Sequence, residues 1–270
     1  MMTKPTDSNL SFWWETFYDD AAMAVLADQD PKQIRSQAEM IMRATGLVAG
    51  QTAMDQCCGL GQHACVLAAR GVRVVGIDQS PMYIEQARRQ AAGDNKNPEF
   101  LVADALVYRH HETVDAVYNW HSSFGYFDDD AMNCQMLSAA HASLRDGGMM
   151  LLEFPNMPHL LNHFRGTMRT EHPGGVLLER ESTVSPDGTT LHQTWTYRWN
   201  GRDNGNGSGN GSENGKRSHR SSLRIYHPDQ LIAMFKESGF VDVRVSSHDG
   251  DELTAECARL LVTGRKRGDE

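Results

Sequence analysis

Short apolar runs ending in an acidic or turn residue recur along this chain, separated by stretches with helical spacing. The runs are Thr52–Asp55, Val72–Asp78, Phe100–Asp104, Val114–Asn119 and Met149–Phe154, and between them lie His63–Arg70, Met82–Ala92 and Ala131–Leu144. A strand that feeds a helix, which returns to begin a parallel neighbour, produces this alternation, so the pattern specifies a doubly wound α/β sheet. Farther on, Pro228–Gly239 places proline at a helix start and glycine at its end. Strands are expected after it at Val241–Val245 and Arg259–Gly264. The first 46 residues read as helical, most clearly over Pro31–Thr45.

One region breaks the alternation. From Leu191 to Trp199 the odd positions carry Leu, Gln, Trp, Tyr and Trp against His, Thr, Thr and Arg at the even ones. That period of two marks a strand with one polar face. A strand and turn precede it, ending Ser185-Pro186-Asp187-Gly188, and Leu223 and Ile225 alternate after it. The expected structure is an antiparallel meander of about three strands. Residues 201–220 are dominated by glycine, asparagine and charge, with no large apolar side chain, so a flexible hairpin tip is expected there. The domain reading is therefore N-terminal helices over 1–46, a sheet core over 47–155 and 223–270, and a β insertion over 156–222.

Composition narrows the partners. The chain has 270 residues, with 26 Lys and Arg against 35 Asp and Glu, a formal charge of −9. Phosphate neutralisation needs clustered cations, so a nucleic-acid partner is not expected. No apolar run reaches the ~18 residues of a membrane span, and the N-terminus lacks a signal-peptide pattern. Five irregularly spaced cysteines fit a reducing compartment, so a cytoplasmic location is expected.

The first strand runs into Gln56-Cys57-Cys58-Gly59-Leu60-Gly61-Gln62-His63-Ala64 and then a helix. Small residues let backbone N–H groups approach a ligand at a helix N-terminus. Nineteen residues after Gly59, the second strand ends in Asp78, where a carboxylate can accept from both ribose hydroxyls. Gly59–Ala64 also fits the G-x-G-x-x-A pattern of dinucleotide enzymes. Against that reading, Asp55 precedes the glycines, where it would repel a pyrophosphate but help hold a cation. Asp104 ends the third strand, in reach of an adenine amino group. Three acids and no Lys or Arg in the loop favour a phosphate-free ligand. The Cys57-Cys58 pair lacks a second pair or a His at ligand spacing, so no metal is expected.

Taken in order, Asp55…Gly59-x-Gly61, Asp78, Asp104-Ala105, Val114-Asp-Ala-Val117 and Leu144-Arg-Asp-Gly-Gly-Met-Met-Leu-Leu-Glu153 resemble the class I S-adenosylmethionine-dependent methyltransferases over roughly residues 50–155. Ser122–Phe127 and Arg224–Leu231 resemble the small-molecule branch of that family. The resemblance implies a Rossmann-like seven-stranded sheet whose last strand is antiparallel, with S-adenosyl-L-methionine as cofactor. It also implies that Asp55, Gly59 and Gly61 frame the methionine part, Asp78 the ribose, and Asp104 with Ala105 the adenine. Gln79 would lie beside the adenine ring and Asn119 would face the sulfonium. Cys57 departs from the family, which usually has glycine there; its Cβ is expected to demand an ordinary backbone conformation. In relatives a Tyr near Tyr18 approaches the donor, and the aromatic run Phe12–Tyr18 suits a lid with a cation–π contact to the sulfonium.

Ligands of doubly wound sheets lie beyond the carboxyl ends of the strands, so the acceptor is sought after the fourth strand, at Asn119–Phe127. His121 titrates near neutrality and is a candidate base or acceptor-orienting group. Tyr126 is a second orienting candidate and Glu153 a candidate for a cationic acceptor. His159, His163, Arg165 and Arg169 are candidates for an acceptor pocket and also read as a solvated helix face. Arg224, Tyr226 and His227 are further candidates. The insertion suits a covered metabolite pocket or a homodimer interface. The expected activity is methyl transfer to a small-molecule substrate. The alternatives are an NAD(P)-dependent oxidoreductase and a non-catalytic S-adenosylmethionine-binding protein.

Overall fold

The computed structural model describes residues 12–92, 98–199 and 215–268. In chain order its strands are β1 (Thr52–Gln56), β2 (Arg73–Asp78), β3 (Glu99–Val102), β4 (Val114–Asn119), β5 (Leu144–Pro155), β6 (Thr167–His172), β7 (Val176–Val184), β8 (Thr190–Trp199), β9 (Gly215–Arg224), β10 (Phe240–Ser246) and β11 (Arg259–Lys266). The chain divides into two compact units. One comprises Gln29–Phe164 with the residues from Leu223 onward; the other comprises the residues up to Asp28 with Arg165–Ser222.

The first unit holds a seven-stranded sheet in the order β10-β11-β5-β4-β1-β2-β3. β1 is parallel to β2 and β4, β2 to β3 and β4 to β5, whereas β11 is antiparallel to both β5 and β10. The Rossmann-like sheet with an antiparallel last strand is therefore present. The chain builds outward from β1 to β3 and then crosses back to β4, so strand order reverses between β1 and β4. A crevice at the carboxyl ends of these two strands follows from that reversal.

The inner parallel strands β1, β2 and β4 bury both faces over most of their length, as their apolar runs require, whereas the edge strand β3 is partly exposed. On one face Met54, Val117, Leu152 and Val262 pack with Leu137 and Leu231 from the helices Asp130–Ser143 and Pro228–Glu237. On the other, Ala53, Val74, Leu151 and Leu261 meet Ile41, Leu67 and Ile84 from Pro31–Thr45, Gln62–Ala69 and Pro81–Ala91. Burying each such aliphatic side chain fully is worth about 1.5–3 kcal/mol. The helix Pro31–Thr45 starts where Asp30 accepts from Lys32 N and ends at left-handed Gly46. It belongs to the sheet unit because Ile34, Ala38 and Ile41 are buried there, so the division falls at residue 28 and not at 46.

The second unit holds the antiparallel sheet β6-β7-β8-β9. It has four strands where the sequence suggested three. β6 carries Thr, Met, Arg, Thr, Glu and His, mostly exposed, so no apolar period announced it. β9 begins at Gly215, inside the segment read as a loop; its polar side chains pair with β8, as in Thr196–Ser218 (3.0 Å) and His192–Ser222 (2.8 Å). The rest of that segment, 201–214, lies outside the described residues. Leu178 and Tyr197 sit opposite each other and are buried with Ala22 and Val25 of the helix Asp20–Ala27. A polar groove of about 640 Å³ also belongs to this unit, lined by Thr167, Glu181, Thr183, His192, Thr194 and Arg220 among others, and none of the residues expected to bind the donor lines it.

Candidate functional site

β1 delivers Asp55 to the crevice, and the loop after it turns on two left-handed glycines, Gly59 and Gly61. A Cβ on Gly61 would meet the Phe100 ring at 2.4 Å, so only glycine fits; one on Gly59 would meet nothing within 4 Å, which leaves open space beside that backbone. Cys57 is also left-handed, with φ +64°. The ordinary backbone expected there is not what forms: the turn imposes a conformation that costs an L-residue about 1–2 kcal/mol. The partner of this loop is Asp78 at the end of β2. Its Oδ2 accepts from Gly59 N at 3.0 Å and its Oδ1 from Ser80 N at 2.9 Å. Burial raises the Asp78 pKa and these two backbone bonds pull it back.

Asp104 closes the next strand–loop junction, its Oδ1 accepting from Leu106 N at 2.9 Å. Gln56, not anticipated as a site residue, holds this loop. Its buried amide donates to Ala105 O (3.4 Å) and Met136 O (3.1 Å). Gln79 is exposed just past β2. The three acids meet at one place: burial pushes the Cys57 thiol well up, and the charges of Asp78, Asp55 and Asp104 push it further. The thiols of Cys57 and Cys58 are therefore protonated at neutral pH.

Asp55 is 3% exposed, and burial, tempered by the neighbouring Tyr118 hydroxyl and reinforced by Asp78, raises its pKa to about 7. Tyr118 is near enough to act on the charge but not in hydrogen-bonding geometry, so Asp55 Oδ2 and Tyr118 Oη have no partner among the described residues. A carboxyl group with a raised folded pKa adds stability that is fully present below its unfolded value, 3.8, and is lost as pH rises through about 7. Asp55→Asn is accordingly expected to raise the melting temperature of the protein alone. The gain should grow from pH 4 to 7 and level off above, as thermal melts across that range would show. Asn119, at the end of β4, is 0% exposed, and neither polar atom of its amide has a hydrogen-bond partner among the described residues. Buried polar groups left this way are costly unless a ligand or water satisfies them.

Beyond Asn119 the backbone bends sharply, with His121 (φ +64°) and Ser122 (φ +62°) both left-handed. A buried ion cluster holds this bend. Glu153, 2% exposed near the end of β5, accepts from His121 N at 3.0 Å and pairs with Arg259 and with His248 Nε2 (3.3 Å); Arg259 also donates to Ser122 Oγ. Burial alone would raise the Glu153 pKa, but Arg259, His248 and His121 outweigh it and hold the carboxyl at about 2. Glu153 is thus committed to the fold rather than to a cationic acceptor. His121 is solvent-accessible, yet desolvation lowers its pKa against the opposing pull of Glu153, with Arg259 and His248 lowering it further. Its Nε2 faces Gln37 Nε2 at 3.4 Å, and Gln37 Oε1 lies 2.9 Å from His63 Nε2.

Tyr126 sits half-buried in the following loop, whose end is tied by Asn133 to both polar backbone atoms of Phe127 and to Tyr226 Oη. Tyr226 and Arg224 are committed to Asp130, and His227 caps the helix that follows. His159, half-buried, and His163, exposed at the end of the helix Met157–Asn162, stack on each other at 4.1 Å. Arg165 and Arg169 lie in the other unit, where Arg169 pairs with Glu179 at 2.6 Å. Tyr18 also belongs to that unit, edge-on to Phe17 at 5.1 Å.

Residues 53–148 match the methyltransferase domain family. An S-adenosyl-L-methionine-dependent Diels-Alderase of Talaromyces variabilis is 32% identical over 83 residues, which span 31% of this chain and 28% of that relative's length. Among solved structures, the CcbJ methyltransferase of Streptomyces caelestis superposes with a TM-score of 0.73 at 16% identity, over 91% of this chain and 96% of that one. The S-adenosylmethionine-bound amino pentose methyltransferase CalS10 of Micromonospora echinaspora does so with 0.65 at 20% identity, over 92% and 98%. At such identities the structural likeness shows the fold. The ordered motifs and the sheet order agree with that match: residues 53–148 carry a methyltransferase domain, on a fold shared with S-adenosylmethionine-dependent methyltransferases.

Proposed function

We propose that this protein transfers a methyl group from S-adenosylmethionine to a small-molecule metabolite. The observation that carries the reading is the convergence of Asp55, Asp78 and Asp104 on the Cys57–Gly61 loop, without Lys or Arg in that loop. Such a site suits a ligand that is cationic and free of phosphate. Its residues fit the donor: open space lies beside Gly59, and the buried Asn119 amide and Asp55 Oδ2 lack partners. Asp78 would take the ribose, Asp104 and Ala105 the adenine with Gln79 beside it, and Asp55, Gly59, Gly61 and Asn119 the methionine part. When bound, the donor supplies an electrophilic methyl group on a good leaving group.

The protein's remaining task is to align the acceptor and exclude water. His121 and Tyr126, beyond the carboxyl end of β4, are the groups proposed to orient it. Tyr18 and the N-terminal helices are proposed as a lid, and residues 156–222 as the acceptor cover or a homodimer interface. No helix among the described residues is long and apolar enough to cross a membrane, and a cytoplasmic enzyme fits that. The structural neighbour CalS10, named for an amino pentose, supports a small acceptor. Calorimetry tests the donor assignment. S-adenosylmethionine is expected to bind saturably and NADH to give no heat; the reverse would restore the oxidoreductase reading.

A further inference from the structure

Gln37 links two histidines that lie far apart in sequence, and its amide has one donor end and one acceptor end. His63 is buried, and desolvation with the nearby His121 holds its pKa at about 3, so it is neutral at working pH and carries one ring proton. Its Nε2 lies 2.9 Å from Gln37 Oε1, an atom that only accepts, so that proton is on Nε2. The other end of the amide, Nε2, only donates, and it faces His121 Nε2 at 3.4 Å. A donor on that side requires a lone pair on His121 Nε2. A neutral imidazole accepting at Nε2 carries its proton on Nδ1.

We propose that Gln37 and His63 fix neutral His121 as its Nδ1–H tautomer, making it a hydrogen-bond donor toward the methyl acceptor and not a general base. The role toward the acceptor rests on the methyltransferase reading; the tautomer does not. His121 is two residues beyond Asn119, at the mouth of the β1–β4 crevice, with its backbone N–H already committed to Glu153. Its only basic nitrogen in this state is engaged by Gln37, so it takes no proton from the acceptor. It offers Nδ1–H to an oxygen lone pair, which selects acceptors with a hydroxyl, carbonyl or carboxylate oxygen near the methylated atom. The proton lost on methylation leaves to solvent. Gln37 and His63 are positioning residues, since they act through His121.

The ionisable neighbours of His121 are Glu153 from β5, Arg259 from β11, His248 from the segment between β10 and β11, and His63 from the helix Gln62–Ala69. Desolvation, with the charges of Arg259 and His248, lowers the His121 pKa against the pull of Glu153, which favours the neutral ring that the tautomer requires. The test is a 15N-histidine NMR spectrum of the full-length protein without ligands from pH 6 to 8, with His248 followed in the same spectra. The expected result is a protonated Nδ1 and a bare Nε2 for His121. A protonated Nε2 overturns the proposal.

Gln37→Glu supplies a second arm. A carboxylate accepts from both rings, so His121 is expected to switch to Nε2–H and its pKa to rise into the observed range. With an identified acceptor, kcat/KM should be flat through that range in the native protein. In Gln37→Glu it should fall at least about tenfold as the imidazole, tautomer and charge change together, the size of a lost hydrogen bond of ~1.4 kcal/mol. An unchanged tautomer in Gln37→Glu also overturns the proposal. The native spectrum decides the tautomer even if that variant does not fold or no acceptor is methylated; the latter outcome would count against the methyltransferase reading alone.

Discussion

Asp78→Ala is expected to weaken S-adenosylmethionine binding by about 10- to 100-fold, the size of charged hydrogen bonds worth roughly 1.5–3 kcal/mol. The proposed ribose contacts are only part of that loss. Asp78 also accepts from Gly59 N and Ser80 N, which fixes the glycine loop against the end of β2. Alanine leaves both amides without that partner and loosens the one stretch of backbone that must approach the ligand closely. Asp78→Asn keeps an acceptor oxygen and should recover part of the affinity. Calorimetric titration of the three proteins would measure this; equal affinity in native protein and Asp78→Ala would remove Asp78 from the site.

Arg259→Ala is expected to cost about 3 kcal/mol of stability, at the low end for breaking a buried ion pair because the Arg259 side chain keeps about a third of its surface in water. The cost comes mainly from Glu153, 2% exposed in the native protein, whose carboxylate would keep only His248 as a side-chain ion-pair partner. Replacing Arg259 by Met and Glu153 by Leu together should restore most of it, because no uncompensated charge is then buried. A depressed carboxyl pKa adds stability that is present above the unfolded value, 4.5, and is lost as pH falls toward about 2. The native protein should therefore lose this contribution between those values, whereas the double variant should not. Urea denaturation at neutral and acid pH would measure both effects, and a single variant as stable as native would show the pair to be dispensable.

The sheet was legible because its information is local. Runs such as Val72–Asp78 announce a strand buried on both faces, and the acids at their ends fall in the crevice because parallel strands share one carboxyl end. Asp55, Asp78 and Asp104 came together for that reason. The groups that hold the site were not legible, since their partners are set by folding alone. Glu153 and Arg259 are 106 residues apart, and Gln37 and His121 are 84 apart. Neither period nor motif pairs them. β6 and the start of β9 went unread because their backbone pairing is satisfied by neighbouring strands while their side chains stay polar. Cys57 shows a local rule overridden by its surroundings: the turn between β1 and Gly59 holds it at φ +64°.

The most direct test of methyl transfer is turnover by the purified full-length protein with S-adenosylmethionine and a panel of hydroxylated, carbonyl and amino metabolites, read by mass spectrometry. One metabolite is expected to gain the mass of one CH2 while an equal amount of S-adenosylhomocysteine forms, with both signals reduced in Asp78→Ala at sub-saturating donor. A donor that binds and is never consumed, across a panel that includes every acceptor class named, would contradict that expectation and leave a protein that binds S-adenosylmethionine without transferring its methyl group.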